Sequence, residues 1–363
     1  MSQDDPKKYD FIDALRGIAI LGVVLVHSSQ AILPNSNALR LLMQEGARGV
    51  QLFFVVSAVT LCMSWVARSR NEQKTIRNFY IRRFFRIAPM FYIAIIFYFF
   101  FNGVSPSHWS PNGIRWWFVP MTAAFLHGFH PETITSVVPG GWSIAIEMSF
   151  YSILPFLLYH IKSINSSILC LFISMLFYGI NKIAVSYFFS YPENQRYLVD
   201  AFSFLNLFGQ LPIFIMGILC YFFLSNSYPR KRILCVIVIG ATIFIALLLA
   251  SYYRIFLMPR HFIFGGLFSI LLIYLANWPS ILMVNKITTT LGKISYSMYL
   301  THFAVLTIFS RLGLSEYFLE TDLFSILHFI CIVVITTIIS LVFFNLIEKP
   351  GILLGKRIIE KLY

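Results

Sequence analysis

The stretch FIDALRGIAILGVVLVHS, residues 11–28, decides the fold, because it is an apolar segment that nevertheless carries ionisable side chains. A helix of about 20 mostly apolar residues crosses the hydrocarbon core of a bilayer. Arg16 and His27 lie on nearly the same face of such a helix, roughly 16 Å apart along its axis. Asp13 lies near the N-terminal end of the helix. Ionisable groups at membrane depth are costly and normally face a protein interior or a wet cavity. His27 is therefore either a functional group or a structural histidine bonded to a neighbouring helix.

The composition of the whole chain is that of a membrane protein. Of the 363 residues, 58% are hydrophobic and 12% are charged, and the mean hydropathy is +0.76. The first residues, MSQDDPKK, are too acidic and polar for a signal peptide, so the first span is expected to stay in the mature protein. The five cysteines lie in or beside apolar segments without metal-type spacing, which favours packing roles over disulfides or metal ligands.

Apolar runs long enough, or nearly so, to cross a membrane recur along the chain. They predict an all-α, polytopic bundle of about ten transmembrane helices. The predicted spans are Phe11–Ser28, Val50–Val66, Ile87–Phe101, Trp142–Leu158, Ile168–Phe189, Phe202–Leu224, Ile233–Ala250, Phe262–Ala276, Tyr296–Phe309 and Leu323–Ile347.

The distribution of basic residues predicts the orientation of these spans. Ten spans place both termini on one side, and cytoplasmic termini put 20 of the 28 Lys and Arg residues in the cytoplasm. Without repeats or a composition shift, residues 1–363 are expected to form one membrane domain, with a transmembrane core at 10–350 and a short basic cytoplasmic tail at 351–363. The long connection at 102–140 contains an apolar piece, Trp116 to Phe129, that is predicted to be re-entrant or interfacial.

Four arginines, Arg77, Arg82, Arg83 and Arg86, cluster before the third predicted span. Arg82 and Arg86 are one helical turn apart, so their side chains share a face and can clamp a phosphorylated ligand with forked hydrogen bonds. The alternative is a cluster that only orients the protein and contacts lipid headgroups.

The fourth predicted span opens with Trp142 and Ser143 and carries Glu147 one turn inside. A carboxylate at this depth is either an ion partner of an arginine or histidine, or a proton acceptor in a cavity.

Further polar groups lie in the last two spans. Ser295, Tyr299 and His302 form one helical stripe, which can serve a substrate or hold helices together. Asn345 and Glu348 lie at the end of the last span. There they can cap the helix, pair with an arginine or take part in catalysis. The remaining membrane histidines, which include His160, His261 and His328, are interpreted as structural.

In combination and in their order along the chain, these motifs strongly resemble the acyltransferase 3 family of bacterial integral-membrane acyltransferases. The individual motifs are weak, but together they are specific and cover nearly the whole chain. Ala58 stands where the family commonly has glycine. The segments that carry the resemblance are DALRG with His27, FFVVS at 53–57, RRFFR at 82–86, WSIAIE at 142–147, SYSMYLTH at 295–302 and EKP at 348–350.

The resemblance implies acyl transfer, usually of acetyl from acetyl-coenzyme A (acetyl-CoA), to a hydroxyl of a cell-surface glycan or lipid-linked sugar. It also implies that Arg16 and His27 form the family's Arg–His pair and that Arg82, Arg83 and Arg86 match its basic motif. His27 is then the base or the acyl carrier, with Glu147 assisting, in the bacterial inner membrane. No metal and no nucleic-acid partner is expected. The rival interpretation is a transporter or flippase of a glycan or lipid-linked intermediate, since intramembrane charges also mark transport paths.

Overall fold

The computed structural model describes residues 9–253, 255 and 258–362. Lys7 and Lys8, which the predicted orientation places in the cytoplasm, lie outside this range, as does the last residue of the predicted tail, Tyr363. The described residues form α-helices and short helical turns without any strand, which confirms the all-α prediction.

Fifteen α-helices follow one another along the described part of the chain. They are α1 (Asp10–Ala31), α2 (Asn37–Gln44), α3 (Gly49–Ser69), α4 (Thr75–Asn102), α5 (Phe118–Ala123), α6 (Trp142–His160), α7 (Ile164–Phe188), α8 (Tyr197–Leu205), α9 (Leu207–Ser225), α10 (Arg230–Tyr252), α11 (Arg260–Asn277), α12 (Lys286–Lys293), α13 (Ser295–Arg311), α14 (Asp322–Phe343) and α15 (Lys349–Lys361).

Within the described range, nine helical segments are long and apolar enough to cross a membrane. The polytopic helical bundle expected from the sequence is therefore confirmed. The ninth predicted span, Tyr296–Phe309, is not among these nine segments: it lies in α13, which is helical but has only 17 residues.

The predicted span Phe202–Leu224 lies within one of these nine segments, but its helix is interrupted at Asn206, between α8 and α9. The Asn206 side chain accepts from the backbone N–H of Gly209 at 2.9 Å and donates to Asn181 Oδ1 at 2.8 Å. An asparagine that bonds the following backbone N–H groups favours a helix start, so it ends α8 and opens α9.

The predicted basic tail at 351–363 stays a prediction, and its described part lies in the helix α15. Pro350 lies in the first turn of α15, where its missing N–H costs nothing. Gly351 and Gly355 pack against Phe85 of α4, so this segment is part of a helix pair.

The structure divides into two compact units, and the single-domain organisation stays a prediction. The first unit comprises the chain up to Leu61 and Met216–Phe344; the second comprises Cys62–Ile215 and the chain from Asn345 onward. The first unit therefore contains α1 and α10–α14, and the second contains α4–α8 and α15.

Close backbone approach holds the first unit together. Gly17 of α1 lies against the Thr288 carbonyl, and Gly292 of α12 lies against the Asp13 carbonyl, so that a Cβ at either glycine would collide with the opposing backbone. Ala58 of α3 packs on Gly217 of α9 in the same way. The glycine that the family commonly has at position 58 is absent here, and the glycine of the opposing helix allows the close contact.

Candidate active site

His27 lies near the end of α1 and is half-buried. Its Nδ1 is 3.2 Å from Gln30 Oε1, so in the neutral tautomer that donates to this oxygen Nε2 is the basic nitrogen. The Phe303 ring lies 4.4 Å from the imidazole, centroid to centroid. A half-buried imidazole with one nitrogen oriented by an amide and one apolar wall has the arrangement of a general base.

A second imidazole lies beside it, because the ring centroid of His302 on α13 is 5.5 Å from that of His27. His302 is fully buried, and its Nδ1 lies 3.2 Å from the Met298 carbonyl oxygen. Phe303 contacts this ring as well, at 4.2 Å, and Tyr299 lies 5.7 Å away. The structure thus brings His27 of α1 together with two residues of the polar stripe on α13, Tyr299 and His302.

Arg16 is held at the opposite end of α1 by two contacts. Its Nη1 donates to Asp13 Oδ1 at 3.2 Å and its Nη2 donates to Thr60 Oγ1 at 3.0 Å. Because α1 is one unbroken helix, Arg16 is roughly 16 Å from His27 along the axis. The two side chains therefore cannot contact the same reacting atom, although an elongated ligand can reach both.

The basic cluster lies in the second unit, on the first three turns of α4. This helix begins at Thr75, well before the predicted start at Ile87, so the arginines belong to the helix itself. Arg82 forms a bidentate ion pair with Glu72, at 2.8 Å and 3.1 Å. Burial by itself would raise the pKa of Glu72, but hydrogen bonds from Arg82 and Asn78 outweigh it and hold that pKa below its usual range.

The other two arginines of the cluster have different surroundings. The Arg83 guanidinium lies 5.8 Å from the Phe79 ring centroid and 5.9 Å from that of Tyr151, and its buried Nε has no hydrogen-bond partner among the described residues. Arg86 lies one turn beyond Arg82 on the same helix face and has no ion pair among the described residues.

Glu147 belongs to the same unit as these arginines. The Tyr151 hydroxyl, one turn further along α6, donates to Glu147 Oε1 at 2.5 Å, and Arg83 is within electrostatic range of the carboxylate. The hydrogen bond from Tyr151 fits both interpretations made from the sequence, ion partner and proton acceptor, and both stay predictions. Trp142 and Ser143 open α6: the Trp142 ring lies 6.4 Å from that of Phe204, and Ser143 Oγ donates to the Gly140 carbonyl at 3.4 Å.

The remaining predicted polar residues are dispersed. Glu348 is buried in the helical turn before α15. His160 is exposed and bonds the Phe156 carbonyl at 2.9 Å. His328 is fully buried with Nδ1 2.8 Å from Ser28 Oγ, which gives it a polar partner in α1 and supports a structural role.

Several partners of the site were not identified in the sequence. Tyr151 and Gln30 lie one turn from Glu147 and His27, so helical spacing alone was a usable signal for both. Thr60 and Glu72 had no such signal, because their contacts depend on chain folding. Among the described residues, His, Cys, Asp and Glu form no group of three or more that can hold a metal ion.

Comparison with known proteins identifies the class. A family model described as an acyltransferase domain matches residues 9–345. The chain therefore belongs to the acyltransferase 3 family, as its motifs predicted.

The named relatives of the chain include two O-acetyltransferases with low sequence identity to it. The peptidoglycan O-acetyltransferase OatA of Listeria monocytogenes is 25% identical over 93% of this chain and 55% of its own length. The O-acetyltransferase OatA of Staphylococcus aureus is 22% identical over 95% of this chain and 57% of its own length. The chain thus spans a little over half the length of these relatives. No solved structure matches the protein significantly.

Proposed function

We propose that this protein is a membrane-bound O-acyltransferase that moves an acetyl group from cytoplasmic acetyl-CoA to a hydroxyl of a cell-surface polysaccharide or lipid-linked sugar. Family membership supports acyl transfer, and the names of the two relatives support an O-acetyl product. The observation that carries the proposal is His27, a half-buried imidazole on a membrane helix with an oriented Nδ1.

The reaction needs a base rather than a redox or metal centre. Nε2 of His27 takes the proton of the acceptor hydroxyl as its oxygen bonds to the thioester carbonyl carbon. The carbon–sulfur bond then breaks, and the proton passes to the departing thiolate. We assign direct transfer rather than an acyl-histidine, because it needs only proton transfer to and from His27 and no covalent bond to the imidazole.

Donor binding is assigned to the arginines of α4. Arg82, Arg83 and Arg86 offer planar, charged donors on one helical segment, and coenzyme A is a polyanion made in the cytoplasm. Glu72 occupies the fork of Arg82, so a phosphate that uses both guanidinium nitrogens must replace this carboxylate. Arg16 stays assigned, with His27, to the Arg–His pair that the family resemblance implies for α1.

The test is acetyl-CoA turnover by protein purified in detergent, measured as thiol release with soluble peptidoglycan glycan strands as acceptor. His27→Ala should reduce turnover by roughly 10²- to 10⁴-fold with donor binding retained. His160→Ala, which removes an exposed histidine, is the control and should keep wild-type turnover. Near wild-type transfer by His27→Ala would exclude the mechanism, and binding of a glycan without any turnover would favour a transporter.

Rapid quench with labelled donor separates the two chemical routes. Direct transfer leaves the protein unlabelled when the acceptor is omitted. An acyl-enzyme labels it in proportion to the number of active sites.

A further inference from the structure

One ring nitrogen of His302 has a hydrogen-bond partner among the described residues and the other has none. Nδ1 lies 3.2 Å from the Met298 carbonyl, which accepts only from a protonated nitrogen. In the neutral ring Nε2 then carries a lone pair, and it has no hydrogen-bond partner among the described residues although the side chain is fully buried. Buried polar atoms are nearly always paired, so an unpaired one needs an explanation.

Burial alone does not distinguish His302, because His328 is equally buried and also has an unpartnered Nε2. The difference lies in the neighbours. His328 faces Ser28 and the rings of Phe309 and Phe318, whereas His302 faces the imidazole of His27. Of these two histidines, only His302 has its unpartnered Nε2 on a ring that lies beside the proposed base, His27.

The rings in contact with His302 come from two helices. α1 contributes His27, and α13 contributes Tyr299 and Phe303. His27 and Tyr299 are the titratable side chains in ring contact with His302 in the described structure, and neither is a permanent charge.

We propose that His302 is a positioning residue for His27, with its Nε2 lone pair stabilising the imidazolium that forms when His27 takes the acceptor proton. This rests on the proposed function of His27. As the hydroxyl O–H bond breaks and the new C–O bond forms, His27 becomes positive in an apolar pocket. The Nε2 lone pair of His302 is then an unused acceptor on a ring whose centroid lies 5.5 Å from that of His27. The proton then leaves with the thiolate, and both rings return to neutral.

Two amide substitutions separate this role from a structural one. In His302→Asn the amide nitrogen takes the place of Nδ1, so the bond to Met298 is kept and the acceptor at Nε2 is lost. In His302→Gln the amide oxygen takes the place of Nε2, so the acceptor is kept. We expect His302→Asn to lower turnover roughly 10- to 100-fold, as for loss of one hydrogen bond to a charged group, with the KM for acetyl-CoA unchanged. His302→Gln should recover most of the rate.

The pH profile provides the second readout. Without the acceptor His27 is harder to protonate, so the midpoint of the acidic limb of kcat/KM should move to lower pH in His302→Asn and stay near the wild-type value in His302→Gln. His328→Asn and His328→Gln are matched controls in the same unit and should leave this midpoint unchanged. Equal behaviour of the two His302 variants, or better rescue by Asn than by Gln, would overturn the proposal. Absence of turnover in the wild-type protein would instead contradict the proposed function.

Discussion

The ion pair between Arg82 and Glu72 changes how Arg82 is interpreted. As a sequence feature it is a cation in a basic cluster, suited equally to lipid headgroups and to a phosphorylated ligand. In the structure both of its terminal nitrogens bond Glu72, a residue of the short connection between α3 and α4. The guanidinium is therefore already oriented for a bidentate anion, and Glu72 occupies the place that a phosphate oxygen pair would take.

Arg82→Ala should weaken use of acetyl-CoA by about 1.5–3 kcal/mol, seen as a raised apparent KM, because a charge-assisted contact to phosphate is lost. Arg82→Lys should restore part of this, since lysine keeps the charge without the planar fork. Arg70→Ala removes an exposed arginine at the turn after α3 and serves as the control. An unchanged donor KM in Arg82→Ala would leave the cluster with only an orienting role.

His127 gives a prediction about pH and stability. Burial lowers its pKa to about 4, against a smaller raising effect of its hydrogen bond to the Gly141 carbonyl. Between this pKa and the unfolded value near 6.5 the unfolded state binds more protons, so stability falls as pH falls through that window. The wild-type protein should therefore lose thermal stability from about pH 6.5 towards pH 4.

His127→Gln isolates this effect, because the glutamine amide can still donate to Gly141 but does not titrate. The difference in unfolding temperature between variant and wild type, followed from pH 7 to pH 4, should shift in favour of the variant on acidification. A difference that stays constant across this range would contradict a buried neutral histidine.

At the scale of elements, α1 depends on its crossing with α12. The glycines at this crossing let Asp13, and with it the Arg16 ion pair, lie directly against the α12 backbone. The arginine is therefore held by a helix contact as well as by its own hydrogen bonds.

Gly292→Ala should destabilise the protein by roughly 1–3 kcal/mol, because a Cβ at this position would collide with the Asp13 carbonyl and force the helices apart. Thermal unfolding in detergent measures the loss. Gly179→Ala is the matched control, since no atom lies within 4 Å of a Cβ added there in α7, and the better helix propensity of alanine gives a neutral or slightly positive effect. Equal effects of the two substitutions would show that the α1–α12 crossing can relax.

At the scale of the whole molecule, the orientation of the helices is still a prediction from charge. A reporter active only in the cytoplasm should be active when fused after Arg70, Arg232 or Tyr363 and inactive when fused near Glu316. The 20-to-8 division of basic residues is the reason. Activity of the fusion near Glu316 would contradict the ten-span topology.

The sequence alone determined that the chain is a bundle of membrane helices and which family it resembles. Long apolar runs predict membrane-spanning helices, because a helix satisfies its own backbone hydrogen bonds in hydrocarbon. The sequence also indicated that His27, Arg16 and the arginines of α4 are candidate functional residues, since ionisable groups are rare and costly in or beside membrane spans.

The tertiary structure alone decided which of these groups meet. His27 faces His302, Arg82 faces Glu72, and Arg16 faces Thr60, although none of these pairs is a helical neighbour. Asn206 ended a run that hydropathy read as continuous, because a side-chain hydrogen bond to the following backbone outweighed apolar composition. The three pairs depend on how distant segments pack, which local spacing and hydropathy do not encode. The bond between Asn206 and Gly209 is local, and only hydropathy missed it.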